Sequence, residues 1–453
     1  MQTKKLLSIS NILKDRSKEN TTPYIEIGDI DIETKLYSYK DKPSVKWAIN
    51  AYKDCTIVSK VRPTRWAIWL IKEENISVSN AFCILKPNID LILPKLLFYF
   101  LAYNKDFLSY LWWKSKWTLY PSCKDIDILN FNIPLSTIPT QHLIVQEIEK
   151  QFSRLDEWLA SLKRTKENLK KYKASVLKSA VEWKLTEEWR MDSRVKHEND
   201  NNNESAKDLL KQILQARKEK FLAENPWKKY KEPEAIKKED LPNIELPEEW
   251  EWCKVDYIKE NQEYWSSKKA DLTWDVPVLR MWNIQDWKLD FSNLKYFEKD
   301  NSDLKKLILK DKDLLFNRTN SAELVWKSAI YHKEKHLNPC TFAWYLIRVQ
   351  AFHELFNIEY LLYFLNSFHW KMWIKSVVVQ QVWQANVNWT KLSNLIFPLP
   401  PLPEQNEIVK IVESKLSVVE KLEKIVNDNI RKAENLKQSI LKKAFEWKLV
   451  KES

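Results

Sequence analysis

SVLKSAVEWKL, residues 175–185, returns as SILKKAFEWKL, residues 439–449. Working outward from this pair, residues 133–185 align with 397–449 without a gap, at an offset of 264 residues. Pro134 matches Pro398, Pro139 matches Pro403, Gln141 matches Gln405, and Ile144 and Val145 match Ile408 and Val409. The same offset pairs Tyr99 and Phe100 with Tyr363 and Phe364. A repeat this long means two copies of one supersecondary unit. Each copy reads as a globular part followed by a long helix.

The helical part of each copy is periodic. Val145, Ile148, Phe152, Leu155, Leu159, Leu162, Leu169 and Val176 step by threes and fours, interrupted by Lys166 and Lys173. Val409, Val412, Leu416, Val419, Val426, Ile430, Ala433 and Ile440 keep the same phase. Such spacing is the seam of a coiled coil. Pro139 and Pro403 suit helix starts. Helices of about 40–45 residues would measure roughly 60–68 Å at 1.5 Å per residue.

The chain therefore divides into a globular part (residues 1–134), a long helix (135–187), a linker (188–245), a second globular part (246–400) and a second long helix (401–453). The linker opens with a polar run (195–208), continues with the amphipathic DLLKQILQARKEKFLAEN and ends in a Pro-punctuated, charged stretch (226–247). CTIVSKV, SAIYH and YLIRVQ read as strands, and 94–113 and 358–375 as helical runs, which makes each globular part mixed α and β.

The chain of 453 residues carries 74 Lys and Arg against 62 Asp and Glu, a formal charge of +12. That balance favours a polyanionic partner. Five scattered cysteines without a CxxC fit a reducing compartment and incidental thiols. The N-terminus lacks the apolar core of a secretion signal, and the longest apolar run, Leu96 to Ala102, is too short to span a bilayer. The expectation is a cytoplasmic protein with no membrane association.

Composition holds one anomaly: 1 Gly against 23 Trp. Average usage of about 7% would give roughly 32 glycines. Turns with φ > 0 and helix C-caps need glycine, and tryptophan stands where they are expected: Trp66 and Trp69, Trp287 in IQDWKLD, and Trp183 and Trp447 after the two long helices. PYIEIGDI (23–30) resembles PVLRMWNI (277–284), with Gly28 opposite Trp282. Many of these tryptophans are read here as glycine positions of the source organism.

A search for catalysis returns little. VWKS (325–328) lacks the first glycine of a phosphate loop even with glycine at Trp326. His332 and His336 in YHKEKH have i,i+4 spacing but no third ligand, so a solvated surface is expected rather than zinc. DNA-reading chemistry is better represented, because Arg pairs with guanine edges and Asn or Gln with adenine. SKVRPTR supplies Lys60, Arg62 and Arg65, and FNRTNS supplies Asn317, Arg318 and Asn320 at the similar place of the second copy. Lys114 and Lys116, and Gln380, Gln381, Gln384 and Asn386, add donors ahead of each long helix, and Arg280 and Lys327 complete the candidate set. Any of them can equally be an ordinary loop residue or a turn cap.

FNRTNSAELVWKSAI, PLPPLPEQNEIV, LKKAFEWKLV, KKYKEP and LPEEWEW together resemble the specificity subunit of type I restriction–modification systems, over nearly the whole chain and in motif order. The departures are mostly Trp for Gly. The resemblance implies an α+β protein: two similar target-recognition domains, 1–134 and 246–400, separated by two long antiparallel coiled-coil helices with pseudo-two-fold symmetry. It implies that each domain reads one half of a split duplex DNA site, and that two methyltransferase subunits, with restriction subunits as a further option, assemble around a chain without catalysis. S-adenosylmethionine, ATP and Mg would belong to those partners, and this subunit would bind no cofactor or metal itself. A self-contained DNA-modifying enzyme and a coiled-coil scaffold are the alternatives.

Overall fold

The computed structural model describes residues 2–17, 23–31, 44–63, 67–115, 121–197, 205–261, 275–297, 304–320, 327–367, 380–381 and 384–449. It divides into two compact units, one of residues 1–165 with 425–453 and the other of residues 166–424. The division cuts through both long helices, so each unit owns a domain and a piece of each helix.

In the first unit β1 (Gln2–Lys5), β2 (Ser10–Ile12), β3 (Tyr24–Ile25), β4 (Ile49–Tyr52), β5 (Thr56–Ser59), β6 (Ile68–Leu70), β7 (Asn75–Val78) and β8 (Phe82–Pro87) precede α1 (Pro94–Tyr103), α2 (Lys105–Lys114) and α3 (Asp125–Leu129); β9 (Asn132–Leu135) then leads into α4 (Ile138–Val181). An antiparallel sheet of order β2-β8-β5-β6 forms the centre. Strands β5 and β6 are buried on both faces, as is β8 except at Lys86. Val58, Ile68, Cys83 and Leu85 share a core with Leu97 and Leu101 of α1, while the alternating Ile57, Trp69, Phe82 and Ile84 share another with Ile25 and Val78 of the small β3-β7-β4 sheet. The period of two along a strand produces this division. The apolar run 94–113 is broken at Asn104, whose side chain accepts from the backbone of Asp106 and Phe107 and starts α2.

The second unit begins with α5 (Glu187–His197) and α6 (Ala206–Glu224). Next come β10 (Glu251–Lys254), α7 (Val255–Ile258), β11 (Lys259–Asn261), β12 (Val276–Leu279), β13 (Ile284–Gln285), β14 (Lys288–Leu289), β15 (Lys295–Phe297) and α8 (Leu304–Leu307). Then follow β16 (Asp313–Asn317), β17 (Thr319–Asn320), β18 (Ser328–Tyr331), β19 (Thr341–Phe342), β20 (Leu346–Ala351), α9 (Ile358–Leu365), β21 (Gln380–Gln381), β22 (Gln384–Asn386), α10 (Trp389–Ser393), β23 (Ile396–Leu399) and α11 (Leu402–Phe445).

The sheet β11-β20-β16-β18 repeats the order of the first unit. Leu314, Phe316 and Val349 face one core, Leu315 and Leu346 the other. Pairs correspond strand for strand: Gln2↔Leu135 with Glu251↔Leu399, and the parallel Tyr24↔Ser77 with Val278↔Thr341. The third strand of the small sheet differs, since β4 joins β7 in one unit and β15 joins β12 in the other.

The long helices have equal length, 44 residues each, and equal phase. In the first unit Ile144, Ile148, Phe152 and Leu155 of α4 meet Ala433, Ile440 and Ala444 of α11, with Lys437 bonded to Asp156. In the second unit Val176 and Ala180 share a core with Ile408, Val409 and Val412, and Lys173 faces Glu423 at 3.9 Å. Early residues of one helix thus meet late residues of the other in both units, which is antiparallel packing. Lys173 interrupts the seam without an uncompensated charge, since it also lies 5.0 Å from the Trp287 ring.

A buried glutamine fastens each helix to its domain. Gln141 accepts from the Leu93 backbone and donates to Leu91 and Ser136 carbonyls. Gln405 accepts from the Asn357 backbone and donates to the Pro400 carbonyl. The bonds to Leu93 and Ser136 recur at Asn357 and Pro400, displaced by the repeat; the bond to Leu91 belongs to the first unit.

Among the described residues seven non-glycine residues have positive φ, and three are tryptophan: Trp183 (52°), Trp287 (66°) and Trp447 (56°). Trp183 and Trp447 follow the two long helices, the usual station of a C-cap glycine. Asp286 (45°) and Trp287 form the two-residue loop between β13 and β14, where a left-handed pair calls for Asp-Gly. A bulky residue in this region is an outlier, as glycine at these positions would explain. Trp69 differs: it lies in β6, 4% exposed, with its ring 6.2 Å from Phe98, and its backbone does not demand glycine. Gly28 has open space beside it, so the Gly28–Trp282 pairing is not diagnostic either.

Candidate nucleic-acid interface

The central strands β5 and β16 each run out of the core into one of the basic loops picked out by sequence. Asp54 and Lys312 take the same left-handed turn before the strand (φ 67° and 62°). Ser59 and Asn317 end it, 2% and 0% exposed, their amides donating to Ala67 and Lys327 carbonyls. The next residue is Lys60 in one unit and Arg318 in the other. Lys60 accepts at its carbonyl from the Cys123 amide at 2.9 Å; Arg318 accepts from Val387, also at 2.9 Å. Cys123 and Val387 are partners in the 264-residue repeat. Lys60 and Arg318 are therefore structural equivalents, held by identical backbone bonds.

The loops bring together motifs far apart in sequence. Thr319 pairs with Asn386 and Asn320 with Ala385, and Gln381 pairs with Gln384, so FNRTNS and the glutamine-rich segment form one small sheet of order β17-β22-β21. The backbone places Asn320, Gln380, Gln381, Gln384 and Asn386 there. In the first unit Val61 bridges Ser122, and the Arg62 amide donates to the Pro121 carbonyl. Arg65 and Lys116, like Trp326, lie outside the described residues.

The side chains differ between units. The Lys60 ammonium lies 3.1 Å from Asp125. The Arg318 guanidinium lies 5.9 Å from the Trp344 ring, a cation–π separation. Lys114 ends α2, exposed, with its ammonium 5.6 Å from the Tyr110 ring. Lys327 donates to Gln285 at 2.7 Å. Arg280 donates to the Asn293 carbonyl at 2.9 Å, and its own amide donates to Asn283, just as the Glu26 amide donates to Asp29 in the first unit. Arg280 is thus engaged in holding a loop.

The residues that sequence reasoning did not single out are Asp125, Gln285 and Asn293. Each reaches its partner through topology, and no local pattern marks it. His332 and His336, expected on a solvated surface, are half-buried: the His332 amide donates to Nδ1 of His336, whose ring stacks 5.1 Å from Phe291. Burial lowers both imidazole pKa values. Among the described residues no cluster of three or more His, Cys, Asp or Glu could hold a metal, and no helix is long and apolar enough to cross a membrane. All five cysteines are buried and unbridged.

Beneath the second loop's strand, Asp313 is enclosed by Arg348 at 3.6 Å and Gln350 at 2.7 Å. Burial pushes its carboxyl up to about 6, against the pull of Arg348. At the start of α11, Glu404 is fully buried and accepts from Arg190 (2.5 Å), Thr186 (2.6 Å) and Trp250 (2.7 Å).

Comparison with known proteins places this geometry in context. Residues 210–432 match the type I restriction modification DNA specificity domain. The specificity subunit of the type I restriction enzyme EcoKI from Escherichia coli K12 is 26% identical over 319 residues, 70% of this chain and 58% of that protein. The EcoDI specificity subunit of Escherichia coli is 25% identical over 344 residues, 73% of this chain and 65% of that protein. The chain thus spans somewhat more than half the length of these relatives. Among solved structures, a chain described under complex assembly and conformational transition of the type I R-M system superposes with a TM-score of 0.68 at 17% identity, covering 98% of this chain and 97% of its own. The HsdS subunit from Thermoanaerobacter tengcongensis gives 0.50 at 16% identity, covering 99% and 97%. At these identities the likeness is one of fold.

Proposed function

We propose, from the match of residues 210–432 to the type I restriction modification DNA specificity domain, that the chain is the DNA-recognition subunit of a type I restriction–modification complex. Each unit reads one half of a bipartite duplex site, and the paired helices set the interval between the halves. The observation that carries this reading is the recurrence of one basic loop at one place in both units, with Lys60 and Arg318 fixed by equivalent backbone bonds. A duplicated protein suits two half-sites on one duplex. Shared basic positions suit phosphates, which position a protein without reading sequence, while the loops that differ suit base edges.

In this proposal the chain is non-catalytic and cytoplasmic. Two methyltransferase subunits carrying S-adenosylmethionine assemble on it, and restriction subunits using ATP and Mg can join them. Methylome sequencing of the host with and without the gene tests the reading. Loss of one bipartite methylation motif on deletion supports it; an unchanged methylome contradicts it.

A further inference from the structure

Lys173 breaks the apolar seam of α4, and the β13-β14 hairpin of the second domain reaches onto the helix pair at that break. The base of the hairpin is held firmly. Ile284 is buried in one core with Leu315 of β16 and Ala329 of β18. The Asp290 amide donates to the Asn283 carbonyl, and the Asn283 side chain donates to the Asp290 carbonyl. The tip meets both helices. The Lys173 ammonium of α4 is 5.0 Å from the Trp287 ring, and the Lys288 ammonium is 2.7 Å from Glu420 of α11. The Lys288 contact is made by its own side chain and does not need the indole. The same hairpin also holds the candidate DNA loop. Gln285 accepts from Lys327 at 2.7 Å, and the Lys327 carbonyl accepts from the amide of Asn317, the residue before Arg318. All these residues belong to the second unit.

We propose that this hairpin is a strut between the long helices and the second recognition loop. Lys288, Glu420 and Gln285 are then positioning residues that set the half-site spacing the protein accepts, not the bases it reads, a role that rests on reading the chain as a DNA-recognition subunit. A loop tied only to its own domain follows every rocking of that domain on the helices. A tie that runs on to the helices removes that freedom. Successive nucleotides of a strand are about 3.4 Å apart along the duplex, so rejecting a site one base pair too long requires the loop to be held to a fraction of that distance. Exposure suits the role. The Lys288 and Glu420 side chains are 67% and 44% exposed, too screened by water to hold the fold together, yet their pairing biases the orientation of the hairpin on α11.

The test uses the full chain in its host. The wild-type methylome first gives the bipartite motif, and plasmid copies of that motif then carry the native spacer or one a single base pair shorter or longer. Lys288→Glu and Glu420→Lys should each raise methylation of the altered spacers relative to the native one by about threefold, the scale of one exposed ion pair. Base preference and the melting temperature of the purified chain should stay as they are. The double exchange, Lys288→Glu with Glu420→Lys, should restore the wild-type profile, and Gln285→Ala should relax spacing in the same direction as the single reversals. Spacing as strict as wild type in any of the three single variants overturns the strut. Loss at all spacers alike without rescue by the double exchange also overturns it, being the signature of a phosphate contact or of misfolding. A wild-type chain that yields no bipartite motif overturns the DNA-recognition reading itself, and the strut falls with it.

Discussion

At the position where the first unit buries Cys55, the second buries Asp313; both follow the same left-handed turn, Cys55 just ahead of the central strand and Asp313 as its first residue. Where α11 places Glu404, α4 places Thr140. Where Lys60 meets Asp125, the repeat partner of Asp125 is Trp389. The small sheets grow from opposite edges of one parallel pair. Backbone bonds that fix the loops and helix heads are common to both units, while the groups filling the frame differ freely. The frame repeats because it must present two loops from equivalent positions; the filling is free because each unit satisfies its own buried groups locally.

The largest asymmetry should lie at Glu404. Glu404→Ala would leave Arg190 buried without its anion, a loss of about 3–5 kcal/mol. Thr140→Ala at the matching place should cost less than about 1 kcal/mol. Denaturant unfolding of the two variants measures the contrast, and equal losses would break it.

Asp313 gives the next contrast. Its folded-state pKa of about 6 exceeds the ordinary 3.8, so between these values the native state binds more protons than the unfolded state. Stability therefore falls as pH rises through this window, by on the order of 2 kcal/mol. Asp313→Asn should flatten that slope when melting is followed from pH 4 to 7. Cys55, whose thiol is pushed above 9 by burial, contributes nothing there.

Lys60→Ala and Arg318→Ala sharpen the likeness. Each should weaken duplex binding by about tenfold at moderate salt, uniformly across sequences, and reduce the salt slope by about one. Relaxed preference at a single base would instead make that residue a reader. The smallest effect concerns the helix ends. Trp447→Gly should stabilise the chain by about 1 kcal/mol, because a left-handed backbone penalises a side chain with a Cβ, and the buried Trp447 Nε1 lacks a hydrogen-bond partner. Thermal unfolding checks this, and intact mass from the source organism identifies the native residue.

The long helices were legible in the sequence because a seam of threes and fours repeated at one offset leaves few alternatives. Their C-terminal glycine stations were legible as well, since Trp183 and Trp447 break the helical pattern and then adopt φ > 0. The domains were legible as mixed α and β, but not in their joints. Asn104 divides an apolar run that reads as one helix, and nothing local distinguishes β4 from β15 as the added strand. In the candidate interface, composition located FNRTNS and the glutamine-rich segment. Their pairing, like the partnership of Lys60 with Asp125, depends on long-range register that residue types do not encode locally.

The most direct measurement replaces residues 1–134 with a second copy of residues 246–400 and sequences the methylome of a host carrying the chimera. If each unit reads its own half-site, both halves of the methylated motif should become the half formerly read by the second unit. Retention of the original first half in a methylation-competent chimera would contradict the account.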